Sequence, residues 1–183
     1  DWDAPRQEDI LRQTLTSLGL ERERLDMNHL QRLFAWGLMP GVRAFADTEH
    51  VLRTLYDSGL QIGLLTNAAQ PMWMRDRELD ELGIRPYFHF RTTAGDVGKM
   101  KPHPAAFQAV LSGLGVPSEE AVYVGDRPYD DVAGAQSAGM RAIFIRRNGT
   151  TLPEGIKPNA IIYRLSDMFT VFDLWYPAWR KAL

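Results

Sequence analysis

The sequence predicts an α/β fold: a Rossmann-like parallel sheet with helices on both faces, joined to a small helical cap. Three observations carry this. Short apolar runs alternate with amphipathic helical stretches along residues 48–163. The runs are continuous rather than alternating, as strands covered on both faces require. Gly59, Gly83, Gly115 and Gly139 each stand where a helical pattern stops and soon before an apolar run, the place of a left-handed C-cap.

The elements follow in order. Residues 7–46 break the rhythm, with helical patterns over 8–18 and 27–36 and no strand between them. They are read as the cap, 1–45, and the rest as the core, 46–183. The alternative is that these helices belong to the main layer. A helix over 48–58 carries Val51, Leu52 and Leu55 on one face, and "LQIGLLT", 60–66, is the first strand. A helix over 71–82 opens on Pro71 and carries Met72, Leu79 and Leu82. "YFHFRTT", 87–93, is the second strand. Phe107, Val110, Leu111 and Leu114 form an i, i+3, i+4, i+7 stripe on a helix over 104–114. "AVYVG", 121–125, "RAIFI", 141–145, and "AIIY", 160–163, complete the strands, with a short alanine-rich helix over 131–138. Phe169, Phe172, Trp175 and Tyr176 suit a C-terminal helix interrupted by Pro177.

Composition narrows the function classes. The chain has 183 residues, 45% of them apolar, which suits one domain with a real core. A net charge of -2 without a basic cluster argues against nucleic acid as a partner. There is no apolar run of about 18 residues, so no membrane span is expected, and no signal-peptide pattern. The default compartment is cytoplasmic. Cysteine is absent, which excludes disulfides, zinc-thiolate sites and cysteine nucleophiles. The chain opens Asp1-Trp2-Asp3 rather than on Met, as a fragment, a processed form or part of something longer would.

Parallel strands point their carboxyl ends one way, and a parallel sheet binds its ligand beyond those ends. The first strand delivers Thr66 and Asn67, the third delivers Gly125 and Asp126, and "GKMKPHP" between them carries Lys99 and Lys101. Asp130 and Asp131 follow. A hydroxyl, a lysine and clustered carboxylates on one rim suit a phosphoryl group and a hard cation such as Mg²⁺. Each residue alone has a plainer reading: Thr66 as a strand-end cap, Lys101 as a solvated side chain, Asp130 or Asp131 as a helix N-cap. Gly125 is expected to allow a tight turn that aims Asp126 at the ligand.

The ordered set "LLTN", "KPHPAAF" and "VGDRPYDDVAGAQSAGM" resembles the second, third and fourth motifs of the haloacid dehalogenase-like hydrolase superfamily, from about Phe45 to Ile145. The helical segment before it resembles the small cap of many members. The resemblance implies hydrolysis of a small phosphorylated metabolite through an aspartyl-phosphate. Thr66 would hold phosphoryl oxygens with Asn67 beside it. Lys101 rather than Lys99 would stabilise the phospho-enzyme charge. Asp126 would bind Mg²⁺, Asp131 would support the metal or its water, and Asp130 would have a lesser role. The Gly-Asp form favours Mg²⁺-dependent phosphatases over metal-free dehalogenases. Arg24, Trp36 and Met39 are candidates for substrate selection.

The family's first motif, a strand ending Asp-x-Asp that carries the nucleophile, is not found. Asp1-Trp2-Asp3 has the spacing, but no apolar strand precedes it and Ala4-Pro5 follows it. "TVFDLWYPA", 170–178, is similar to the motif but has Trp175 in place of its second acid. By the resemblance this strand lies between those ending at Thr66 and Gly125. Its absence would open a gap of about 9–10 Å, two strand spacings, and bare two edges. The nucleophile is expected on an N-terminal strand outside these residues, the alternative being a rearrangement in which another segment or another chain fills the slot, and the chain alone is expected to be inactive. A non-catalytic binding module and a dehalogenase are the alternatives. Oligomeric state is not legible.

Overall fold

The computed structural model describes residues 2–20, 26–35, 41–147 and 149–180. The N-terminal segment supplies two helices, α1 (Gln7–Ser17) and α2 (Met27–Leu33), and neither buries a residue. The core runs α3 (Thr48–Asp57), β1 (Gly63–Thr66), α4 (Met72–Glu81), β2 (Phe90–Thr93), α5 (Ala94–Val97), α6 (Pro104–Leu114) and β3 (Val122–Gly125). A π-helical turn, Pro128–Ala133, leads into α7 (Gly134–Ser137), then β4 (Arg141–Ile145), β5 (Ala160–Ile162) and α8 (Met168–Trp175).

Every strand pair is parallel. Successive residues of β4 face opposite ways, and both faces are covered. Ile143 and Ile145 pack with Val51 and Leu55 of α3, Ile162 of β5, and Met168 and Phe172 of α8. Ala142 and Phe144 pack with Leu65, Ala106, Phe107, Val132 and Ala135 on the other face. That two-sided burial is why β4 reads as a continuous apolar run. Gly59, Gly83, Gly115 and Gly139 all have positive φ, between 68° and 86°, as helix ends need.

Some boundaries move. The first strand begins at Gly63 rather than at residue 60, because pairing with β2 starts there. The second begins at Phe90, since Pro86 lacks an N–H and bends Arg85–Tyr87 into a 3₁₀ turn. The helix expected over 131–138 starts earlier, at Pro128. Helix α2 ends at Leu33, short of the expected residue 36.

The sheet is split. β1 and β2 form one pair, and β3, β4 and β5 form a second sheet in the order β3-β4-β5. Among the described residues no strand pairs with the free edge of β1 or of β3. By the resemblance, a further strand would lie between these two edges. The Ile62 carbonyl accepts from Phe90 N, so by strand alternation the Leu65 carbonyl points away from β2. It is met there by side chains, not by backbone.

Candidate active site

The site is assembled at the carboxyl ends of β1 and β3. Thr66 is the last residue of β1 and Gly125 the last of β3, with Asp126 next in sequence. The loop before α6 brings in Lys101. Its ammonium donates to Asp131 Oδ1 at 2.7 Å, to the Tyr123 hydroxyl at 2.8 Å and to the Leu65 carbonyl at 3.4 Å. One nitrogen thus touches both sheets at their rim. The Lys101 and Asp131 side chains are 9% and 5% exposed, so the solvated reading of Lys101 does not hold. A buried charge needs a partner and further hydrogen bonds to be tolerated, and this one has both.

Asn67 clamps the Lys101 backbone from both sides. Its Oδ1 accepts from Lys101 N at 2.8 Å, and its Nδ2 donates to Lys101 O at 3.0 Å. The amide expected to face substrate is thus committed to fixing the lysine loop. The same loop is tied to the N-terminal residues: Ala4 N donates to Gly98 O and Met100 N to Trp2 O, and Lys99 pairs with Asp3. Asp3 therefore lies in an isolated antiparallel bridge beside Lys99, outside both sheets.

Asp131 is 3% exposed, and its second oxygen accepts from Arg127 N at 2.9 Å. It makes no N-cap; it reaches back across the π-helical turn to Arg127, the residue just before it. Such turns recur at functional sites. Gly125 has an unforeseen reason. Its φ is not positive, so no turn demands glycine. A Cβ there would instead overlap the Asp131 carboxyl. The missing side chain makes room for the acid rather than for a bend.

Asp126 is more open. Its Oδ2 accepts from Arg147 Nη1 at 3.1 Å, from an arginine 58% exposed, two residues beyond β4. Asp130 pairs with Arg127 at 3.3 Å. Tyr123 was missed by the motif reading. Its hydroxyl is bonded to Lys101 and to Leu65 O, and burial, followed by the charge of Asp131, pushes the phenol well above its ordinary range. A tyrosine within a buried apolar strand was the available signal, because a buried phenol must find a partner.

Among the described residues no group of three or more His, Asp or Glu side chains could hold a metal ion. Mg²⁺ keeps several waters and takes one or two carboxylates, so Asp126 fits as one ligand. Asp131 has both oxygens engaged by Lys101 and Arg127. Arg24, Trp36 and Met39 lie outside the described residues. The N-terminal segment meets the α/β part at Ala69, whose carbonyl accepts from Gln7 N at 3.0 Å, and at Arg77, which donates to Ala35 O at 2.6 Å. No helix among the described residues is long and apolar enough to cross a membrane.

The family model of the haloacid dehalogenase-like hydrolases matches residues 6–145. A glyceraldehyde 3-phosphate phosphatase of Methanopyrus kandleri is 37% identical over 107 residues, 58% of this chain and 45% of that protein. A phosphoserine phosphatase of Thermus thermophilus is 34% identical over 149 residues, 80% of this chain and 57% of that one. The chain spans about half the length of these relatives. Among solved structures, a HAD phosphatase from Thermococcus onnurineus matches with a TM-score of 0.66 at 29% identity, covering 86% of this chain and 68% of that one. A 2-haloacid dehalogenase from Pseudomonas syringae pv. Tomato matches with 0.64 at 35% identity, covering 74% and 55%. With its sequence and its parallel α/β core both matching in this way, the chain belongs to the haloacid dehalogenase-like hydrolase family.

Proposed function

We propose that this chain is the cap and most of the core of a phosphomonoester hydrolase acting on a small phosphorylated metabolite. One observation supports it most. A buried lysine, held by a buried aspartate, sits where the ends of β1 and β3 come together. A fixed positive charge at the end of two parallel strands suits an oxyanion that gains charge in the transition state. The phosphatase names of the two relatives point the same way.

In this reading Lys101 neutralises phosphoryl oxygens and Thr66 bonds one of them. Asn67 and Asp131 keep Lys101 in place, one through its backbone and one through its ammonium. Mg²⁺ would be held by Asp126, with Asp131 nearby, and would supply positive charge against the same oxygens. The nucleophilic aspartate that forms the phospho-enzyme would come from a strand in the slot between β1 and β3, outside these 183 residues. Loss of a covalent nucleophile costs on the order of 10⁶ in turnover. The cap would close over the substrate and exclude water.

The test is hydrolysis of p-nitrophenyl phosphate with Mg²⁺. The 183-residue chain is expected to show no turnover above background. A longer product carrying an apolar strand that ends Asp-x-Asp is expected to turn over, and to lose activity on Lys101→Met and on Asp126→Asn. Activity indifferent to both substitutions, or surviving chelation, overturns the reading; chelation-resistant release of halide from a haloacid would favour the dehalogenase instead.

A further inference from the structure

Lys101 has three N–H donors, and all three are directed at protein acceptors: Asp131, Tyr123 and the Leu65 carbonyl. Asp131 answers the charge. The other two acceptors set where the ammonium points. Tyr123 belongs to none of the motifs that the sequence singles out, yet its oxygen is as close to Lys101 as the carboxylate is. The packing of its ring explains only part of the residue. The ring stands edge-on to Phe107 at 5.1 Å, and the ammonium lies 5.3 Å from its centroid. A phenylalanine would fill the same space without having to satisfy a buried hydroxyl. The hydroxyl is what calls for a role. It accepts from the ammonium and can turn its own proton to Leu65 O, 3.4 Å away. Tyr123 thereby ties β3 to the free edge of β1 through the lysine they share.

We propose that Tyr123 is a positioning residue: its hydroxyl fixes the Lys101 ammonium on the rim and so sets where that positive charge stands relative to a phosphoryl oxygen. This rests on the phosphoryl role of Lys101 proposed above. It adds that the position of the charge is held from the sheet, by a residue that touches neither substrate nor metal.

The experiment is Tyr123→Phe in the 183-residue chain, read by proton–nitrogen NMR of lysine ammonium groups. There are four lysines, Lys99, Lys101, Lys157 and Lys181. Lys101→Met assigns the signal. The wild-type Lys101 ammonium is expected to exchange with water far more slowly than that of the exposed Lys157. Tyr123→Phe is expected to speed that exchange about tenfold or more, the size that follows from losing one hydrogen bond to a charged group. Exchange within about twofold of wild type, in a variant whose circular dichroism is unchanged, overturns the proposal, since one hydrogen bond to a charge is worth more. Should Tyr123→Phe not fold, the wild type still decides: a Lys101 ammonium exchanging like that of Lys157 overturns it.

Titration with inorganic phosphate separates this proposal from the reading it rests on. Wild-type binding that Lys101→Met loses and Tyr123→Phe weakens supports both. Binding that Lys101→Met loses but Tyr123→Phe keeps overturns the role of Tyr123 alone. Phosphate binding unaffected by Lys101→Met, or absent from the wild type, overturns the phosphoryl role of Lys101 in this chain, whatever the ammonium exchange shows.

Discussion

Asp131→Asn should unfold this chain more easily than any other single exchange of one side-chain atom on the rim. The substitution keeps shape and removes charge. The Lys101–Asp131 pair is 2.7 Å long and both side chains are less than a tenth exposed. Breaking a buried pair from one side leaves the other charge uncompensated and costs about 3–5 kcal/mol. An asparagine also has one acceptor oxygen where Asp131 uses two, one for Lys101 and one for Arg127 N. One of these donors is therefore left poorly met, which alone costs about 1–3 kcal/mol and is part of the same total. Tyr123 and Leu65 O still serve the ammonium, which keeps the loss toward the lower end. At roughly 2–4 °C per kcal/mol for a domain of this size, the melting temperature should fall by about 6–20 °C. The assay is urea and thermal unfolding by circular dichroism. Asp130→Asn is the control. Its pair with Arg127 is 3.3 Å long, with the arginine 72% exposed, and should matter by about 1 kcal/mol or less. The double variant Lys101→Met/Asp131→Asn should be more stable than the sum of the two single losses, because no buried charge remains in it. A loss under about 1 kcal/mol for Asp131→Asn, or strict additivity in the cycle, refutes the claim that this pair is buried and mutually dependent.

The other predictions can be checked in the same preparations. Gly125→Ala should cost about 1–3 kcal/mol in urea unfolding, the overpacking range, because the new methyl group meets Asp131; in the background of Asp131→Gly the cost should shrink, and equal costs in both backgrounds would place the clash elsewhere. Tyr123 has a phenol raised above its ordinary 10.0 by burial first and by Asp131 next. A raised value means that the folded state holds the proton more tightly, so this contribution is complete below pH 10.0 and is lost as pH rises through the folded value. Unfolding measured from pH 8 upward should therefore show a steeper alkaline decline in the wild type than in Tyr123→Phe; parallel curves would contradict the burial of that phenol. Arg147→Ala frees Asp126 of its ion pair, and an exposed pair is worth at most about 1 kcal/mol, so Mn²⁺ affinity followed by electron spin resonance should rise by up to about fivefold. Weaker Mn²⁺ binding in that variant would remove Asp126 from the cation's ligands.

The sequence alone determined the kind of fold, the order of its elements and the rim on which chemistry could gather. These rest on local rules. A period of 3.6 marks a helix, a continuous apolar run marks a strand buried twice, and glycine marks the left-handed residue that ends a helix. Parallel strands then carry Thr66, Asp126 and their neighbours to one end without any further information. What each side chain does there was decided by the tertiary structure. Asn67 meets Lys101 across 34 residues, Lys101 meets Asp131 across 30, and Tyr123 meets Leu65 across 58. No local pattern encodes which of several acceptors a lysine will find after the chain has closed. The same holds for Gly125, whose reason is a carboxyl six residues on that folds back over it. Hydrogen bonds and burial in the interior are properties of assembled surfaces, and only packing brings those surfaces together.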